Sequence, residues 1–258
     1  MRNSILAFFA LLPLHALSQD TLGSPPEEVA LIRYHSRFNM DFERGEAFRE
    51  FQSFLYSNGR SSDFYMLPVK GQSASHSDIE VLAEPDTVFR VVKEHDEGFL
   101  FFSDIGLDGR VRHYRDTLHP MEWKLLPESR SIDGIECQKA VTFFKGRSYT
   151  AWFAPSIPLG NGPWKLGGLP GLIVEAYEEN MDMHFMLSEI RFLKFDHPVT
   201  NFHLHRKHTP GYDAFVKYWK DAFRMLQGSL GARENPGCVS CHTGTKVNFY
   251  SWERVESL

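Results

Sequence analysis

Short segments of alternating apolar and polar residues, separated by turn dipeptides, constrain the fold of this chain most strongly. The dipeptides Asn58-Gly59, Asp108-Gly109 and Asp133-Gly134 recur at intervals suited to strands. Such pairs tolerate the positive φ angles of tight hairpin turns. In the first segment four apolar or aromatic residues share one parity: Ala30, Ile32, Tyr34 and Phe38. This pattern predicts a meander of antiparallel strands from about residue 29 to residue 195.

The predicted strands after the first are short and closely spaced. They cover residues 48–56, 62–67, 88–93, 99–104, 110–115, 135–144, 148–154, 172–177 and 183–195. One later segment is helical instead. Thr209 and Pro210 suit its start, and Gly228 and Gly231 suit its end. The sequence therefore predicts a mainly β fold, a single curved antiparallel sheet that is half-barrel-like, with one covering C-terminal helix.

Charge and composition exclude some classes of function. The chain has 258 residues, of which 42% are hydrophobic and 24% charged, so it can build an ordinary globular core. Its 22 Phe residues give a heavy aromatic load. The net charge of −5 argues against nucleic acid as a partner, because phosphate binding needs a basic face.

The first 18 residues have the features of a signal peptide. A basic start at Arg2 precedes an apolar run, and the small residues Ala16 and Ser18 suit a signal peptidase. We expect cleavage after residue 18, which leaves a single β-rich domain at 19–258 without a transmembrane segment. The mature protein is predicted to be periplasmic or secreted, in an oxidising compartment.

A Gly/Pro-rich segment interrupts the strands in the middle of the chain. It reads Asn-Gly-Pro-Trp-Lys-Leu-Gly-Gly-Leu-Pro-Gly-Leu-Ile-Val-Glu-Ala over residues 161–176. The run Gly168-Leu169-Pro170-Gly171-Leu172-Ile173 resembles the signature of the GLPGLI family. The resemblance extends over Ile135, Cys137, Lys139-Ala140, Gly146-Arg147, Tyr149, Ala151-Trp152-Phe153, Ile157-Pro158, Gly162-Pro163-Trp164 and Glu175.

The resemblance implies location and architecture rather than chemistry. Members of that family are exported envelope proteins of Gram-negative bacteria without an established activity, and the strand arrangement is similar to half-barrel carriers of lipoproteins. Two interpretations of the segment follow. It plugs one mouth of the curved sheet with Trp164, or it binds an apolar ligand or an envelope protein through Trp164, Leu166, Leu169 and Pro170.

A Cys-x-x-Cys-His motif lies near the C-terminus, within residues 232–246. Cys238, Cys241 and His242 have the spacing of covalent haem c attachment, in which both thiols bond to vinyl groups and the histidine ligates iron. The sixth ligand would have to come from earlier in the sequence, from a residue such as His203, His205, His208 or Met225. Two other interpretations are a local Cys238–Cys241 disulfide and a site for another transition metal with His242 as a ligand.

The sequence carries no recognisable catalytic constellation. It has no phosphate-cradling strand–helix motif and no Gly-x-Ser-x-Gly elbow. The third cysteine, Cys137, falls on a predicted strand and is expected to be buried and inert. We therefore expect a non-catalytic envelope protein, with a haem- or metal-carrying redox protein as the alternative.

Overall fold

The computed structural model describes residues 27–39, 48–69, 89–106, 108, 110–195 and 209–231. The predicted signal peptide at 1–18 and the Cys-x-x-Cys-His segment at 232–246 lie outside the described residues. Among the residues that are described, no helix has the length and apolar character that crossing a bilayer requires.

The described part of the chain forms one sheet and one helix. The strands are β1 (Glu27–Asn39), β2 (Phe48–Ser57), β3 (Ser61–Pro68), β4 (Arg90–Glu94), β5 (Phe99–Ile105), β6 (Val111–Thr117), β7 (Lys124–Ile132), β8 (Ile135–Phe144), β9 (Arg147–Ala154), β10 (Leu172–Glu178) and β11 (Met183–Phe195), and the helix is α1 (Tyr212–Gly231). The strand order is β6-β5-β4-β3-β2-β1-β11-β10-β9-β8-β7. All pairs are antiparallel, which confirms the predicted mainly β fold.

Alternation along the strands gives the sheet one apolar face. Four apolar or aromatic residues of β1 that share a parity are buried: Ala30, Ile32, Tyr34 and Phe38. The next strand in the sheet continues this face, because Phe185 lies opposite Ser36 and Met183 lies opposite Phe38. Successive side chains of a strand point to opposite faces, so the pattern in the sequence directly marks the core.

Two of the hairpins close with two-residue turns. Asp133 and Gly134 have φ angles of 49° and 81°, and Lys145 and Gly146 have φ angles of 48° and 76°. Paired positive φ angles match the right-handed twist of the flanking strands. At the β2–β3 turn, Asn58 Oδ1 accepts hydrogen bonds from the backbone N–H groups of Arg60 and Ser61. The predicted turns at residues 58–59 and 133–134 are thus confirmed.

Chain connectivity requires the sheet to curl. Eleven strands laid flat would place the two edge strands about 48 Å apart. Yet β6 and β7, the edges, are joined by residues 118–123 alone, which reach at most about 25 Å. An ion pair crosses the same gap, since Lys145 Nζ in the β8–β9 turn lies 2.7 Å from Asp116 Oδ2 of β6.

The concave face of this curl is filled by the protein's own side chains. Helix α1 packs Phe215 against Phe102 of β5, with ring centroids 5.2 Å apart. Trp219 on the same helix donates a hydrogen bond from Nε1 to Asp104 Oδ2 at 3.0 Å. Between this helix and Trp164 a cavity of about 20 Å³ remains, which has room for about one water molecule.

Two details differ from the sequence expectation. Strand β7 was not predicted, because Pro127 interrupts it and every one of its residues is exposed or half-buried, so it lacks an apolar alternation. Helix α1 begins at Tyr212 rather than at Pro210, and it continues through Gly228 to Gly231. Burial of Phe215 and Trp219 favours the helix despite the glycine.

A buried ion cluster fixes the β10–β11 turn to its neighbours. Arg147 NH1 of β9 lies 3.5 Å from Glu178 Oε1 and 3.4 Å from Asp182 Oδ2. The side chains of Arg147 and Glu178 are only 7% and 3% exposed. Asn39 of β1 completes the cluster, because its backbone N–H donates to the Asp182 carbonyl at 2.8 Å.

We predict that Arg147→Met lowers the free energy of unfolding by about 3–5 kcal/mol, because it leaves two poorly hydrated carboxylates without their cation. Urea unfolding measures the change. Arg224→Met is the control, since Arg224 and Asp221 form an exposed pair, 76% and 51% accessible, that should contribute at most about 1 kcal/mol. Equal losses in the two variants would contradict the prediction.

Candidate functional site

The Gly/Pro-rich segment forms a compact loop between β9 and β10, which we call the Trp164 loop (residues 155–171). It folds back on itself through an isolated antiparallel bridge between Asn161 and Gly167. The Gly168 N–H donates to the Gly160 carbonyl at 3.0 Å. Trp164 and Gly168 have φ angles of 51° and 85°, so the loop reverses twice through the left-handed region.

The apolar side chains of the loop point into the protein. Trp164, Leu166 and Leu169 are 6%, 0% and 2% exposed, whereas Pro170 is exposed. The Trp164 ring makes contacts with Tyr149 on β9 and with Phe144 on β8, at centroid distances of 6.2 Å and 6.3 Å. This placement favours a plug. Binding of a ligand or partner by these residues stays a prediction.

Glycine is required at two points because the loop lies directly on the strands. A Cβ atom at position 171 would lie 2.2 Å from the Ala154 carbonyl oxygen, and one at position 162 would lie 2.6 Å from Ile173 Cδ1. Both distances are far shorter than a carbon contact of about 3.5 Å. The absence of a side chain at Gly162 and Gly171 therefore lets the loop backbone approach the sheet closely.

The amino group of a fully buried lysine is hydrogen-bonded to the loop. Lys93, on the concave face of β4, is 1% exposed. Its Nζ donates hydrogen bonds to Asn161 Oδ1 at 2.9 Å, to the Gly162 carbonyl at 3.1 Å and to the Leu166 carbonyl at 2.5 Å. The three N–H donors of an ammonium are thus all used. Burial lowers the pKa of Lys93 to about 7.

Further contacts support the same loop from two sides. Asn161 Nδ2 donates to Ser57 Oγ of β2 at 3.2 Å, and Trp123 Nε1 donates to the Gly167 carbonyl at 2.8 Å. The Lys165 ammonium lies 3.5 Å from the centroid of the Phe102 ring, a cation–π distance. The loop is consequently connected to both halves of the curled sheet.

Sequence reasoning missed Lys93. One signal could have found it, because Lys93 shares the parity of the buried Val91 in β4 and so falls on the inward face. A lysine at a core parity is unusual enough to indicate a buried polar contact. Its acceptors come from residues 68 to 73 positions later in the chain, and no local pattern identifies them.

A second polar cluster lies on the outer face of the sheet. His184 Nε2 of β11 lies 2.8 Å from Glu175 Oε1 of β10, and Arg130 of β7 forms an ion pair with the same carboxylate. The Arg130 guanidinium also stacks over the Trp152 ring at 4.2 Å. Burial, together with the positive charges of Arg37 and Arg130, lowers the pKa of His184. This network ties together strands that carry few apolar residues on this face.

The cysteine and histidine predictions have different outcomes. Cys238, Cys241 and His242 lie outside the described residues, so haem, metal and disulfide all stay predictions. Met225 on α1 is exposed. Cys137 is 2% exposed, and burial raises its pKa to about 11, as expected for an inert thiol. Within the described ranges, no group of three or more His, Cys, Asp or Glu side chains is arranged to hold a metal ion.

Comparisons with known proteins give limited matches. A family model described as "Protein of unknown function (Porph_ging)" matches residues 142–175, the segment from β8 through the Trp164 loop into β10. This match includes the run at 168–173, but the GLPGLI name stays a prediction. The search of curated proteins gave no significant match.

Solved structures of a protein called PNGF-II are similar to part of the chain. The structure in space group P21 is 16% identical, with a TM-score of 0.43, and the match covers 67% of this chain and 30% of that chain. The structure in space group C2 is also 16% identical, with a TM-score of 0.42, and covers 65% and 28% of the two chains. This chain therefore spans less than a third of the length of those proteins.

We predict that Trp164→Ala lowers the free energy of unfolding by about 3–5 kcal/mol, because truncating a buried tryptophan leaves a cavity beneath the loop. Chemical denaturation followed by circular dichroism measures the change. Pro170→Ala is the control at an exposed position of the same loop, and it should change stability by less than about 1 kcal/mol. An unchanged stability of Trp164→Ala would rule out a plug.

Proposed function

We propose that the protein is an exported, non-catalytic binding protein of the cell envelope, and that it takes an apolar ligand on its concave face. The ligand would bind where the Trp164 loop now lies. One observation carries the proposal: the loop places three apolar side chains, Trp164, Leu166 and Leu169, on the inner face of a curled sheet, in the position that a ligand of such a sheet would occupy.

The volume of the cavity at the concave face determines how a ligand could enter. The cavity of about 20 Å³ between Trp164, Met183 and Phe215 is far too small for a lipid-sized molecule. Typical ligand pockets measure about 300–1,000 Å³. Binding therefore requires the loop to move away, after which the apolar surface that it covers becomes available.

The attachment of the loop is compatible with such a movement. Its side-chain hydrogen bonds to the rest of the chain involve Lys93, Ser57 and Trp123. Its backbone hydrogen bonds outside the loop involve Ala154, Leu172 and Ile173, which adjoin its two ends. Gly171 stands at its C-terminal end, and Gly160 and Gly162 lie near its middle. The predicted leader supports an envelope location. The net charge of −5 argues against a nucleic acid ligand.

Binding of a fluorescent fatty acid, 11-(dansylamino)undecanoic acid, to the mature protein tests the proposal. We expect saturable binding with one site per chain. Leu166→Ala should bind about tenfold more tightly or better, because the closed loop loses more than 1.4 kcal/mol of packing while the open site is unchanged.

Val92→Ala is the matched control, because Val92 is also buried, at 1% exposure, but adjoins Lys93 on β4 and so points to the opposite face of the sheet. It should be destabilised without a gain in probe affinity. Absence of saturable binding to both wild type and Leu166→Ala would overturn the proposal. Capture of an envelope protein that is lost in Pro170→Ala, without fatty acid binding, would favour a docking loop instead.

A second candidate function rests on Cys238, Cys241 and His242. The Cys-x-x-Cys-His spacing in a chain with a predicted export signal favours covalent haem, since thioether attachment takes place after export. The protein would then carry electrons, with haem bound to the two thiols and iron to the imidazole. Exposed Met225 on α1 offers a thioether as the sixth ligand.

An absorption spectrum of protein exported by a cytochrome-maturing host tests this candidate. A Soret band that survives denaturation, and that disappears in Cys238→Ala and Cys241→Ala, is the expected result for haem c. Cys137→Ala is the matched control and should keep the band. A colourless protein from that host would rule the candidate out.

A further inference from the structure

We propose that opening of the Trp164 loop is coupled to the uptake of one proton by Lys93. The loop would then close the concave face more tightly as the pH rises above neutral, and open more readily as the pH falls towards neutral. The coupling is a property of the loop and does not depend on a ligand. Its use, the regulated exposure of a binding face, rests on the proposed function.

The surroundings of Lys93 give the first argument. Its side chain is 1% exposed, and its three hydrogen-bond acceptors are one carboxamide oxygen and two backbone carbonyl oxygens. Within the described residues, none of these acceptors is a carboxylate. Neutral dipoles compensate a buried charge only in part, so the closed loop disfavours the ammonium form relative to the neutral amine.

Among the described residues, the groups that face Lys93 offer no negative charge that would stabilise the ammonium. Ser62 lies opposite it on β3 and Leu100 lies opposite it on β5. Asn161, Gly162 and Leu166 face it from the loop. His95, two residues further along the chain, interacts with it electrostatically, and the positive charge of Lys93 together with burial lowers the pKa of that histidine.

Opening the loop removes the hydrogen-bond acceptors of Lys93 and exposes its amino group to water at the same time. The residues that cover the ammonium are the same ones that accept its hydrogen bonds, so their departure lets water reach Nζ. A hydrated lysine regains the ordinary pKa of about 10.5. In the closed protein burial lowers that pKa to about 7, so closing expels a proton and opening takes one up from solvent.

The direction of the pH effect follows from this difference. Between pH 7 and 10.5 the open form binds more protons than the closed form, so raising the pH favours the closed form. The opening equilibrium constant should fall by as much as tenfold per pH unit in this window. Below about pH 7 both forms are protonated, and the opening constant should no longer change.

Amide hydrogen exchange of the wild-type protein tests the coupling without a ligand. The loop amides to follow are those of Leu166 and Gly168, which donate to carbonyls of the same loop. The intrinsic exchange rate rises tenfold per pH unit, and a tenfold fall in the opening constant cancels that rise. Between pH 7.5 and 9.5 we therefore expect observed exchange rates of these amides that hardly change.

Amides of the β7–β8 hairpin serve as the internal control, because this edge can fray without exposing Lys93. Their rates should rise about a hundredfold over the same two units. Lys93→Met provides the matched variant, in which the loop amides should regain the hundredfold rise. If that variant fails to fold, the comparison within the wild type still decides.

Direct titration of Lys93 is the second measurement. The carbon-13 shift of its Cε should follow a pKa near neutrality in the closed protein. Loop exchange rates that rise a hundredfold in the wild type, or a Lys93 that titrates near 10.5, would overturn the proposal. Neither result depends on whether the fatty acid probe binds, so failure of the coupling and failure of the proposed function are distinguishable.

Discussion

The hydrogen bonds of the buried Lys93 amino group are the interaction on which the arrangement of the concave face depends. Lys93 belongs to β4, near one edge of the sheet, whereas the carbonyls that it binds belong to the loop that follows β9, near the other edge. One side chain thus joins the two halves of the curl. Because an ammonium needs acceptors when it is removed from water, the loop backbone has to come to it.

Other polar contacts cross the concave face in the same way. The hydroxyl of Tyr34 on β1 donates to the Ile173 carbonyl at 2.8 Å, and Lys145 pairs with Asp116 across the gap between the sheet edges. Apolar packing can hold a curled sheet in many slightly different shapes, because it has little directionality. Hydrogen bonds with defined partners select one of them.

The concave face, where a ligand is proposed to bind, is already filled by side chains of the protein itself. A curved sheet with many aromatic residues suggests an open hollow, but here Trp164 from the loop and Phe215 from α1 occupy it. The same side chains that give the isolated protein its core are those that a ligand would replace. Under the proposed function, stability of the closed form and affinity for a ligand would therefore be in competition.

Much of the sheet could be predicted from local sequence, and the exceptions have physical causes. The bounds of β8 and β11 agree with the predicted segments. Strand β7 was missed because it is an exposed edge, where Pro127 is tolerated and no apolar face is needed. Of the site, the sequence predicted the loop and its apolar residues but not Lys93.

The sequence by itself determined ten of the eleven described strands and the glycine-containing turns, because these follow from the pattern and geometry of neighbouring residues. Only the tertiary structure decided that β1 pairs with β11, that the sheet curls until residues 118–123 can join its edges, and that Lys93 is buried under Asn161. Each of these joins residues far apart in the chain. Their free energy depends on burial and on distant acceptors, which no local pattern encodes.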